Sequence, residues 1–254
     1  MNFRIQILLL CILAQSLVLS AQTEKEVTKR KMIWYGFSEE IEIRKKWHIN
    51  AEFEERHFID SLQQAEYKFG LSGLYDINKN WNAGIGVSYA REGFNEFILP
   101  EFRLEQEFNN KHKYKWLTIT NRYKIEERFF RSKVSGEVPE EYNFAMRFRL
   151  RLGFDLTLAK FGENKNPLKL RLNDEIFINA GKMFVKNIFD QNRFYAGISY
   201  RPVKSLTFGA GYMNAFKQRK SGYKYYDKHI IRFSIEHELS FGKKKKVPEE
   251  TGKL

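Results

Sequence analysis

Cysteine occurs once in the 254 residues, at Cys11, and proline only five times. The lone cysteine lies in an apolar leader, so the rest of the chain has no disulfide and no thiol chemistry. Scarce proline suits strands, whose interiors exclude it. After residue 21, no stretch approaches the roughly 20 continuous apolar residues that a spanning helix needs. The histidines, His48, His57, His112, His229 and His237, lack metal-ligand spacing. No glycine-rich phosphate loop is present: Gly84 and Gly86, like Gly209 and Gly211, have strand spacing. These absences leave no cofactor and no metal to expect.

Aromatics, in contrast, make up 16% of the chain, with 23 Phe and 13 Tyr, a composition that favours strands. Residues 1–21 have the form of a secretory signal: Arg4, an apolar run, then Ser20 and Ala21 before a cleavage site at Gln22. Removing them takes one charge from the net +13, leaving +12. Export, and the alternation of the basic residues with apolar ones, argue against nucleic acid and favour acidic lipid headgroups as the partner. Residues 22–33 are polar, and are expected to be mobile or to form a poor first strand. Residues 34–242 form the folded body, and 243–254 a basic tail facing the periplasm.

Residues 143–158 show the organising pattern. Phe144, Met146, Phe148, Leu150, Leu152, Phe154 and Leu156 take every second position, with Ala145, Arg147, Arg149, Arg151, Gly153 and Asp155 between them. Successive strand side chains point to opposite faces, so one face is greasy and the other charged. A membrane barrel wall accommodates both, with lipid outside and a polar lumen inside. Ten further segments alternate likewise, the first over residues 34–43 and the last over 231–241. The fold expected is an all-β, transmembrane, antiparallel up-and-down barrel in the outer membrane of a Gram-negative bacterium. Single-chain bacterial barrels have even strand numbers, so the eleven segments point to about 12 strands, with 10 as the alternative. Short connections before Trp47, Trp81, Tyr114 and Leu206 alternate with more variable ones. Assigning the short set to the periplasm makes the first strand run parallel to the last.

The charges on the inner faces are segregated. Arg122, Lys124, Arg128, Arg147, Arg149, Arg151, Lys169, Arg171 and Arg193 form a basic wall. Glu40, Glu42, Glu52, Glu54, Glu66, Glu236 and Glu238 form an acidic one. Ion pairs between them would hold a small lumen shut; a transverse field could instead select a small solute or an anion. Asn173, Asp174, Glu175 and Asp190 suggest a cluster at the rim, capping a loop and pairing with Arg193. Alternation puts Asp174 on the greasy side. Ser199 and His237 are conceivable parts of a lipid hydrolase, but they alternate onto opposite faces.

The stretches Asn173-Asp174-Glu175-Ile176-Phe177, Phe189-Asp190-Gln191-Asn192-Arg193-Phe194-Tyr195, Gly197-Ile198-Ser199-Tyr200 and Gly211-Tyr212 occur in that order. With Trp34, Lys46-Trp47 and the run from Arg147 to Gly153, they resemble a family of small Bacteroidetes barrels catalogued as domain of unknown function 2490. The resemblance covers most of the exported chain. It implies an outer-membrane location and brings no catalytic residues. The function expected is non-enzymatic: a structural barrel or a narrow selective pore. A lipid-modifying hydrolase and a soluble periplasmic sandwich or ligand-binding barrel are the alternatives. The sequence gives no oligomeric state.

Overall fold

The computed structural model describes residues 25–94, 97–132, 138–163, 165–181 and 188–241. The expected leader, residues 1–21, and the expected tail, 243–254, lie outside them. The described residues form strands and no helix. In order the strands are β1 (Glu26–Arg44), β2 (Trp47–Phe58), β3 (Gln64–Asp76), β4 (Trp81–Phe94), β5 (Phe97–Lys113), β6 (Leu117–Phe130), β7 (Asn143–Phe161), β8 (Asn166–Ala180), β9 (Phe189–Val203), β10 (Leu206–Gln218) and β11 (Lys224–Ser240). Each pairs with its sequence neighbours, and β1 pairs with β11, closing a single barrel. This is one sheet curled on itself, not two packed sheets.

The strand number is eleven, not 12 or 10. The poor first strand sought in residues 22–33 is the opening half of β1. Between Glu26 and Arg44 there is no Pro, Asn or Asp to turn the chain, and the only glycine is Gly36, so the strand continues through. An odd number makes the first and last strands run the same way. Their pairing is therefore parallel, in unbroken register from Glu26↔Lys224 to Glu42↔Ser240. Every other pair is antiparallel.

The connections differ between the two ends. Residues 45–46, 77–80, 114–116, 162–165 and 204–205 join strands at one end, here the turn end. Residues 131–142 and 181–188 are the longest connections at the other, the loop end. Local chemistry explains the tightness of one turn: the Asn78 side-chain oxygen accepts from the backbone N–H groups of Asn80 (2.9 Å) and Trp81 (3.1 Å), an Asx turn.

The two faces sort as the alternation predicts. On β7, Phe148 and Leu150 are 41% and 47% exposed on the outer face, with no second layer over them. Arg147 and Ala145 are buried inside. Two aromatic rows mark the outer face. Near the turn end, Trp47 packs on Tyr75 (4.9 Å between centroids) and Trp81 on Phe108 (4.7 Å). Nearer the loop end, Tyr89 packs on Phe102 (4.9 Å) and Phe129 on Phe144 (5.2 Å). Leu71, Ile85, Val87 and Leu152 stand exposed between the rows.

Large side chains crowd the lumen. Along β9, β10, β11 and β1 it contains an apolar cluster of Tyr195, Met213, Ala215, Ile230, Met32 and Trp34. Gly197 and Gly211 face each other across β9 and β10. A Cβ on Gly211 would meet the Tyr195 ring at 2.8 Å and the Gly197 Cα at 2.5 Å, so this paired gap is what lets the Tyr195 ring lie flat on the wall.

Candidate functional site

The inward faces of β5–β8 hold a dense ionic network. Register sets like charges beside matched ones: Arg122 stands directly opposite Arg151, Lys124 opposite Arg149 and Glu105 opposite Glu126, while Glu126 also stands opposite Arg147 and Glu107 opposite Lys124. Like charges directly opposite destabilise a sheet. The side chains relieve the like-charge pairs by using the matched partners opposite and by reaching diagonally or across a second strand. Glu126, fully buried, accepts from Arg147 Nε (2.6 Å) and Arg149 Nη1 (2.6 Å). Glu175 accepts from Arg122 Nη2 (2.7 Å) and Arg149 Nε (3.0 Å). Glu101 takes the Arg128 guanidinium in a two-pronged contact (2.5 and 3.0 Å) and also Arg103 (2.7 Å). Lys124 bridges Glu105 (2.7 Å) and Glu107 (3.0 Å). Charge-assisted bonds of this kind are the strong ones, and they are needed, since an unpaired buried charge costs several kcal/mol.

The expected basic wall is thus interleaved with carboxylates of its own strands, Glu126 and Glu175. Only Arg171 reaches the expected acidic wall, pairing with Glu236, while Asp155 lies 3.8 Å away. Lys169 stands beside it, opposite Thr157 and Ser199. The acidic residues are also satisfied mostly at home. Arg56 binds Glu54 (2.8 Å) and Glu66, and Lys68 lies 3.5 Å from Glu52. At the turn end, Glu238 pairs with Arg201, Glu42 accepts from Ser240 Oγ (2.8 Å), and Glu40 lies 3.5 Å from His48.

The expected rim cluster does not assemble. Asn173 and Glu175 face the lumen, while Asp174 faces outward and accepts from Asn192 (2.9 Å). A register shift between Phe177 and Ile178 against β9 turns Asp190 inward, beside Gln191. There it accepts from Arg147 (2.9 Å) and not from Arg193. No group of three or more potential metal ligands exists among the described residues. Ser199 is buried on the inner face. His237 sits on the outer face against Glu39 (2.7 Å), so the two do not meet.

Alternation, carried two residues back from Gly36, would have placed one further lumen residue. Trp34 is 3% exposed inside the barrel. Three guanidinium groups surround its ring: Arg56 at 3.8 Å, Arg193 at 5.3 Å and Arg232 at 5.3 Å from the centroid. Arg193 also lies 4.6 Å from the buried Phe177 ring. Such contacts place the positive charge against the negative ring face.

Three cavities succeed one another along the lumen. The middle one, about 160 Å³, is lined by Trp34, Arg151, Arg193 and Arg232 among others. A turn-end cavity of about 270 Å³ shares Arg151, Arg232 and Tyr195 with it. A loop-end vestibule of about 540 Å³ shares Arg128 and Lys217 with it, and adds Arg131, Arg219, Lys220 and Lys224. Burial pushes the Lys220 ammonium below the usual lysine range, and Arg128 and Lys217 nearby push the same way.

The closed barrel with a charged, filled lumen defines the class of protein. The chain belongs to the family described as protein of unknown function, DUF2490, whose model matches residues 31–226. No curated protein and no solved structure matches it.

Proposed function

We propose that this protein is a membrane-spanning barrel of a Gram-negative outer membrane, with a non-enzymatic role and a lumen held closed to bulk flow by its ion pairs. The observation that carries the membrane reading is the outward band of exposed Leu71, Ile85, Val87, Phe148 and Leu150 between two aromatic rows. Aromatic girdles flank the apolar band of such barrels. Polar outward pairs, Asp174 with Asn192 (2.9 Å) and Asn214 with Asp227 (2.7 Å), interrupt the apolar outer face, Asp174 directly opposite Leu152, and each pair satisfies its own hydrogen bond. A strand of 19 residues such as β7 is about 60 Å long at roughly 3.3 Å per residue. That exceeds what a crossing needs, and the surplus would project beyond the lipid.

The carrying observation for closure is the Glu126–Arg147–Arg149–Glu175 layer. A porin-like open channel would need a continuous water column, and these side chains fill the waist. Electrophoresis of unboiled and boiled protein from the outer-membrane fraction tests the barrel in its membrane. A heat-dependent mobility is expected there; recovery of the protein in the soluble fraction defeats the membrane reading. Planar-bilayer recording tests closure. Long-lived conductance steps of porin size defeat it, whereas the expected trace is silent or shows rare small events.

A further inference from the structure

We propose that the middle cavity binds a small oxyanion of the phosphate type, held by Arg151, Arg193, Arg232 and the indole of Trp34. The carboxylates that share this cavity are largely committed. Arg56 occupies Glu54 and Glu66, Arg103 and Arg128 occupy Glu101, Arg122 and Arg149 occupy Glu175, and Lys68 approaches Glu52. Glu92 is exposed and sits where the cavity meets the vestibule.

Five lining cations remain over. Among the described residues, Arg151, Arg193, Arg232, Lys217 and Lys228 have no carboxylate within 4 Å; Arg193 spends one N–H on Gln191 (3.3 Å). The cavity's orphaned atoms point the same way. Trp34 Nε1, Arg56 Nε, Arg122 Nε and Arg232 Nε are buried and make no hydrogen bond, and all four residues line this cavity. Every one of these atoms is a donor and none can accept. A buried, unsatisfied donor costs about 1–3 kcal/mol, and a surplus guanidinium costs more. One ligand with several acceptor oxygens and negative charge answers both needs, and guanidinium forks fit oxyanions in particular.

The size restricts the ligand. About 160 Å³ is the share of about five waters at roughly 30 Å³ each. That admits a free oxyanion with some hydration and no acyl chain. Access follows from the shared lining: Arg128 and Lys217 belong to both vestibule and cavity, so an anion drawn into the basic vestibule is passed inward. This inference rests on the lumen and not on the membrane reading; it holds or fails in detergent.

The test is titration of the purified, folded barrel in micelles at low ionic strength, by calorimetry, with inorganic phosphate, sulfate and, as a cation control, choline. One saturable site is expected for phosphate, with sulfate competing and choline inert. Arg232→Gln and Trp34→Phe are each expected to weaken phosphate tenfold or more. Arg219→Gln, at the vestibule, should change it by less than threefold. Heat-modifiable mobility checks that each variant is folded. If Arg232→Gln does not fold, Trp34→Phe decides, since it keeps an aromatic ring among the guanidinium groups while removing the indole N–H and the five-membered half of the ring. Absence of saturable binding overturns the proposal, as does binding that both variants leave unchanged. A phosphatidate with acyl chains competing as well as inorganic phosphate also overturns it, because that ligand cannot reach the waist.

Discussion

Strands β5–β8 and strands β9, β10, β11 and β1 line the same lumen with different chemistry. The first wall is long, branched and charged, and its residues interlock: Glu126 alone joins Arg147 and Arg149. The second carries small or apolar residues such as Gly197, Gly211, Ala215, Met213 and Ile230, with Arg193, Lys217, Lys228 and Arg232 standing among them. The interlocked wall supplies rigidity and fills the waist. The smooth wall supplies room, and the cavity around Trp34 opens between the two. The contrast teaches that a lumen need not be uniformly polar to sit inside a barrel. Most of its charges find one another, and the surplus cations line the cavity beside Trp34.

Four substitutions put that contrast at risk, and the largest effect belongs to the charged wall. Glu126→Gln leaves Arg147 and Arg149 short of a buried counter-charge, and should cost about 3–5 kcal/mol. Thermal unfolding in micelles would register it as a large fall in Tm; an unchanged Tm means water or a second carboxylate replaces Glu126. Leu150→Arg tests the proposed contact of the outer face with lipid. Near the middle of a bilayer it should cost about 2–4 kcal/mol, seen as a lower folded fraction in vesicles than in micelles. Equal yields in both media would place Leu150 away from lipid.

Met213→Ala probes the smooth wall and is expected to cost about 2 kcal/mol. That is the low end for such a truncation, because Met213 already borders a cavity. A cost matching that of Glu126→Gln would erase the difference between the walls. Glu238→Gln removes the exposed pair with Arg201 at the turn end. Surface pairs contribute about 0–1 kcal/mol, so denaturation curves of this variant and the parent should nearly superimpose.

How much of this was readable beforehand depends on the range of the interaction. The face each residue takes is a period-two property, and the sequence of β7 displays it without help. The same alternation puts Trp34 inward with Gly36 and Ser38, in the middle of β1. Pairing between charges was not readable. Whether Arg149 meets Glu126 or Lys124 depends on register and diagonal reach, and these exist only once β6 and β7 are side by side. Asp190 escaped for a related reason: a shift of register reverses the face of a residue that strict alternation puts outside. The apparent cluster of Asn173, Asp174 and Glu175 dissolved because neighbours along a strand point away from each other. The strand count failed on a general rule about even numbers that this chain does not follow.

The parallel β1–β11 seam has a consequence for assembly. It joins Glu39 to His237, 198 positions apart, so closure waits until the last strand has been made, and the most distant pairing is formed by a slanted ladder somewhat weaker than its neighbours. Before that moment the sheet carries two open edges of unpaired amides and carbonyls. A chain truncated ahead of β11 would keep them permanently, and another copy of itself is what such edges would capture.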